Sequence, residues 1–99
     1  MAIDGIDDIA VRLKLARKAW GMNQASWCRT IGIDQQAWNN YERGLRRISL
    51  DQAIKICQAT GISLDWIYRG LTGGMAFNLA AKLQQQARQL ERDEDQDPS

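Results

Sequence analysis

Three observations predict an all-α chain. Apolar residues recur at three- and four-residue spacing, and no segment shows the β-branched alternation of a half-buried strand. Glycines also stop the chain just after each short apolar-periodic stretch, as they do at helix ends. At 99 residues the chain holds one domain with an element to spare. A chain of this size buries only about 60–65% of its unfolded surface, so it needs an efficient core. The tryptophans Trp20, Trp27, Trp38 and Trp66 supply the bulk for one. No internal repeat is present.

Apolar positions 6, 9, 13, 16 and 20 mark a first amphipathic helix from about Ile6 to Trp20, ended by Gly21. Asp4, Asp7 and Asp8 suit the positive end of its dipole. Asn23 then caps a second helix, with Met22 and Trp27 placed as a hydrophobic staple, and Gly32 stops it after Ile31. The same punctuation repeats with Ile33, cap Asp34 and staple partner Trp38, opening a third helix from Gln35 to Arg43 before Gly44. Ser49 and Gln52 form a capping box for a fourth helix running to Thr60. Ser63 caps a short fifth, Leu64 to Arg69, closed by Gly70. Gly73-Gly74 reads as a hinge before a last amphipathic helix, Met75 to Arg92. The chain thus divides into a domain at 1–72, a hinge and C-terminal helix at 73–92, and an acidic tail at 93–99, predicted to be disordered.

Charge is distributed unevenly beneath a net +1. Residues 9–74 carry ten Lys/Arg against four acids, a local +6, whereas both chain ends are acidic. A basic body with acidic ends points to a polyanionic partner for the body. Cys28 and Cys57 form no CxxC pair and there is no histidine, so neither a zinc site nor a disulfide scaffold is expected. Both cysteines read as small buried hydrophobes rather than redox sensors. No phosphate-binding glycine loop or acid–base pair is evident, so no enzymatic activity, catalytic residue, metal or cofactor is expected. The absence of a signal-peptide layout or a membrane-length apolar run predicts a cytoplasmic protein.

The most informative stretch is residues 24–43, two short helices joined by a tight turn at Gly32. Helices joined so closely must cross steeply, which needs a small residue at the crossing (Cys28) and a glycine in the turn. At about 100° per residue, Gln35, Gln36, Asn39, Asn40 and Arg43 share one polar arc of the third helix, opposite Ala37, Trp38 and Tyr41. Four amides are unusual for a merely solvated face, where Glu and Lys serve better. They suit base reading, because Gln and Asn each pair bidentately with adenine N6 and N7 in the major groove.

From Arg12 to Gly70 the chain resembles the lambda-repressor-like helix-turn-helix family, which includes Cro and the phage repressors. The segments RLKLARKAWGMNQASWCRTIGIDQQAWNNYERG and SLDQAIKICQATGISLDWIYRG carry the resemblance, over about 60% of the chain. It implies a five-helix domain that puts its third helix in the major groove of double-stranded DNA, often as a dimer on a two-fold operator. It further implies that Gln35, Gln36 and Asn40 contact bases, with Asn39 peripheral. Gln24, at the start of the second helix, takes the place of the family's phosphate anchor. Arg43, Arg46 and Arg47 lie where family members contact phosphates, and Glu42 takes the place of a glutamate that pairs internally with Arg17. The sequence departs from the family pattern at Cys28, where alanine is usual, and at Trp27 and Trp38, which are large for their sites.

Beyond this domain, Met75, Leu79, Leu83, Ala87 and Leu90 form one apolar stripe. Such a stripe either folds back on its own domain or pairs with a second copy. Pairing is favoured, because one short recognition helix reads few bases, so Leu79, Leu83 and Leu90 are expected at a homodimer interface. The implied function is a dimeric, nucleoid-associated repressor acting in transcription regulation. The alternative is an antitoxin or other interaction module whose C-terminal helix and acidic tail hold a protein partner.

Overall fold

A computed structural model describes residues 5–96, with side chains through Arg92. Six helices follow one another: α1 (Ile6–Ala19), α2 (Gln24–Ile31), α3 (Gln35–Glu42), α4 (Leu50–Thr60), α5 (Leu64–Arg69) and α6 (Phe77–Gln96). Among the described residues there is no strand.

Local chemistry sets the helix starts. Asn23 accepts a hydrogen bond from Ser26 N, Asp34 from Ala37 N, Ser49 from Gln52 N and Ser63 from Trp66 N. Each side chain satisfies one of the amides that a first helical turn leaves without a partner. The Ser49 box closes on one side only. Gln52 does not return a bond to Ser49, and its Oε1 is buried without a hydrogen-bond partner. At the other ends, Gly32 and Gly61 adopt left-handed conformations (φ 79° and 82°) that side-chain-bearing residues rarely take.

Helix α1 is the spine, packed against α3, α5 and α6, while α2 crosses α3 and leans on α4. The core is continuous from Ile9, Leu13 and Ala16 of α1 through Trp27 and Trp38 to Ile56, Ile62 and Ile67. Arg12 Nε donates to Ile67 O at 2.9 Å, tying the end of α5 back to α1.

The C-terminal helix departs from the sequence expectation in three ways. It starts at Phe77 rather than Met75, because a turn with Met75 N bonded to Thr72 O precedes it. It runs on to Gln96 rather than ending at Arg92, since no glycine or proline interrupts the chain between Gly74 and Pro98. Thus 93–96, expected in the disordered tail, continue the helix; 97–99 lie outside the described residues. Most important, its stripe folds back on the protomer. Leu83 is 1% exposed inside the core, and Met75, Leu79, Ala87 and Leu90 pack against it. Burying Leu83 alone contributes about 1.5–3 kcal/mol, available at once within one chain without the entropic cost of bringing two together.

Candidate nucleic-acid interface

The helix-turn-helix is built from its interior outward. Trp27 of α2 and Trp38 of α3 are both fully buried, and their ring centroids lie 5.8 Å apart. Trp20, just past the end of α1, packs tilted against Trp27 at 6.1 Å, and Tyr41 meets Trp38 edge-on at 6.3 Å. Tilted and edge-on pairs at these separations are the favoured aromatic geometries. The large residues at positions 27 and 38 therefore fill one shared space, with Cys28 buried at the crossing.

Polar groups fix the same unit. Arg17 of α1 reaches Glu42 with two hydrogen bonds, Nε to Oε2 at 2.7 Å and Nη2 to Oε1 at 3.0 Å. Its remaining Nη1 donates to Met22 O at 2.9 Å, in the link between α1 and α2. Trp38 Nε1 also donates to Glu42 Oε2. The carboxylate is 6% exposed, so it is held inside and does not face the outer side of α3. A buried charge satisfied this fully specifies geometry more than it adds stability.

With its inner face anchored, α3 turns its amides outward. Gln35 and Gln36 are exposed in the first turn, and Asn40 is half-buried one turn later. Asn39 is also half-buried; its Oδ1 accepts from Gln24 Nε2 at 3.4 Å, so the start of α2 is tied to the middle of α3. Arg43 is the exposed C-cap of α3, and Arg46 and Arg47 are exposed in the loop that follows. Among the described residues none of these three arginines forms an ion pair. The result is a strip of uncharged donors and acceptors bordered by free cations.

Sequence reasoning missed one support. Lys55 of α4 donates from Nζ to Gly32 O at 3.0 Å, placing a cation on the C-terminal carbonyls of α2, where the helix dipole favours it. The only signal was a lysine on α4, and only the crossing of α2 over α4 gives it a target. Burial pushes the Cys28 thiol above its ordinary pKa, reinforced by the carboxylates of Glu42 and Asp34, and burial pushes Cys57 up too. Neither is an activated thiolate at neutral pH. No group of three or more metal-ligating residues gathers among the described residues, and no described helix is long and apolar enough to cross a membrane.

Comparison with known proteins agrees with this architecture. The helix-turn-helix family matches residues 13–67. The chain is 30% identical over 66 residues to an uncharacterized transcriptional regulator in the ATPase CF(0) region of Rhodospirillum rubrum. That match covers 67% of this chain and 61% of the relative, so the chain spans under two thirds of its length. No solved structure matches significantly. With five helices in the expected order and the family match lying over them, the chain belongs to the lambda-repressor-like helix-turn-helix family of DNA-binding proteins.

Proposed function

We propose that this protein is a transcriptional repressor that binds a two-fold DNA operator as a homodimer, reading bases with Gln35, Gln36 and Asn40. The observation that carries this reading is the contrast across α3, with Trp38, Tyr41 and Glu42 locked inward and neutral amides turned outward beside unpaired arginines. Amides facing the groove discriminate bases by paired hydrogen bonds, whereas Arg43, Arg46, Arg47 and Gln24 grip phosphates and set the register. Asn39 acts mainly by orienting Gln24. The regulator named in Rhodospirillum rubrum supports a role in transcription.

Two copies extend the short reading surface of one α3, with half-sites about 10 base pairs apart. Leu83 is already used inside the protomer, so a dimer held by Leu79, Leu83 and Leu90 requires α6 to be exchanged between copies. With α6 in place, Leu45 and Leu50, both more than half exposed around the arginine loop, are the apolar side chains available near α3. Selection from a random duplex library tests the whole reading. The expected product is an inverted repeat, and a non-palindromic site or no enrichment overturns the dimer or the sequence reading respectively. Arg46→Ala should weaken all sequences alike and make the log–log salt slope shallower by about 0.9, the value of one phosphate contact.

A further inference from the structure

A cavity of about 360 Å³ lies where the C-terminal ends of α1 and α4 meet the first turn of α6. This volume is at the lower end of the range of small-molecule sites, roughly 300–1,000 Å³. Trp20, Gly61, Ala76 and Leu79 give it apolar walls, and Asn78 and Lys82 also line it. Thr60, the remaining lining residue, is engaged, since its Oγ1 donates to Ile56 O and accepts from Ile62 N. Asn78 Oδ1 accepts from Leu79 N, which leaves its NH2 as the end free to donate. Lys82 holds its ammonium over the Trp20 ring, 4.5 Å from the centroid, and forms no ion pair among the described residues.

The side-chain groups that Asn78 and Lys82 offer to this cavity are both donors, one of them a full cation, and no carboxylate side chain lines it. An aromatic face and a leucine complete the wall. That combination calls for an acceptor with negative charge on a flat apolar body. We propose that the cavity binds a small aromatic carboxylic acid, its carboxylate on Lys82 and Asn78 and its flat ring against Trp20 and Leu79.

The site shares a wall with the helix-turn-helix. Trp20 is the first ring of the series that continues through Trp27 to Trp38 on the inner face of α3. An acid that repositions Trp20 therefore changes operator affinity; this second step rests on the DNA-binding reading, whereas the binding step does not.

The test uses the full chain and 3-phenylpropionate as probe, followed by amide NMR shifts in the absence of DNA. Saturable shifts at residues 60–61 and 76–82 are expected, with a dissociation constant on the order of 1 mM for so small a ligand. The neutral 3-phenylpropanamide should bind about fivefold more weakly, and Lys82→Gln should erase that preference while leaving the fold intact, since Lys82 is exposed. No saturation by about 10 mM, shifts confined to other helices, or equal binding of acid and amide overturns the site. Operator affinity is then measured with saturating 3-phenylpropionate against sodium acetate at equal ionic strength. A change of about fivefold in the wild type, absent in Lys82→Gln, supports the linkage, and unchanged affinity overturns it. A chain that binds no DNA fails the DNA-binding reading instead, while the NMR titration still decides the site.

Discussion

Two helices of this protein turn amides to the solvent side, and only one of them has the surroundings that the proposed DNA reading needs. Helix α3 presents Gln35, Gln36, Asn39 and Asn40; α6 presents Asn78, Gln84, Gln85 and Gln89. Their inner faces differ in kind. The inner face of α3 is held by an aromatic series and a buried ion pair, that of α6 by a leucine stripe. Their surroundings differ more. Arg43, Arg46 and Arg47 follow α3, whose one carboxylate, Glu42, is turned inward, whereas on α6 Lys82, Arg88 and Arg92 are interleaved with and outnumbered by Glu91, Asp93, Glu94 and Asp95. An amide reaches a base edge only where nearby cations offset the repulsion and desolvation at the phosphates, so the charge beside the amides separates the two faces.

Removing the lock beneath α3 should have the largest effect. Arg17→Ala leaves the Glu42 carboxylate buried without its guanidinium, a loss of about 3–5 kcal/mol. Thermal melting should fall by at least about 10 °C for a domain of this size. A variant with unchanged melting and altered operator preference would instead place Arg17 at the DNA.

On α6 the comparison can be broken from inside. Leu83→Ala removes a fully buried side chain and should cost about 2–5 kcal/mol in denaturant unfolding. Gln84→Ala, one residue on and exposed, should stay within about 0.5 kcal/mol. Equal costs would mean that α6 does not dock on α1 in solution.

The amides themselves give the sharper contrast. Gln36→Ala should lose about 1–3 kcal/mol of discrimination at one base position in a site selection. Gln85→Ala on α6 should leave the selected site untouched. If the two variants behave alike, the outward face of α3 is not the reading surface.

The smallest expected effect is alkaline. Burial raises the Cys28 and Cys57 thiols above the ordinary value of 9.0, so the folded state favours the protonated form. The unfolded chain then sheds these protons first. The stability they contribute is fully present below about pH 9 and is lost as pH rises through the raised folded values. Melting temperature against pH should therefore fall less steeply above pH 9 in the Cys28→Ala, Cys57→Ala double variant than in the wild type. Identical slopes would remove the thiols from the account.

Much of the fold was legible because it is locally encoded. Asn23, Asp34, Ser49 and Ser63 cap helices through the residue three positions on, and such contacts depend little on the rest of the chain. The outward arc of α3 was legible for the same reason, since helical periodicity alone divides it from Trp38 and Tyr41. The meeting of Arg17 with Glu42 is different. Nothing in their spacing joins them across 25 residues, and the expectation came from family resemblance. Lys55 on Gly32 O and the tilted packing of Trp20 on Trp27 had no comparable signal, because each depends on how separate helices cross.

Sequence by itself therefore determined which segments are helices, where they begin, which face of each is apolar, and that a basic body carries an amide-rich third helix. Periodicity and capping act over one or two turns, so they are readable without knowing what packs on what. Only the tertiary structure decided where the C-terminal stripe goes, because an apolar stripe fits a second copy and its own domain equally well by pattern. The short 70–76 connection joins α6 to α5, which itself packs on α1, so the α1 surface is the nearer partner, and Leu83 is buried in the core. That docking also forms the cavity between Trp20 and Lys82, whose walls come from three helices and exist only once those helices are packed.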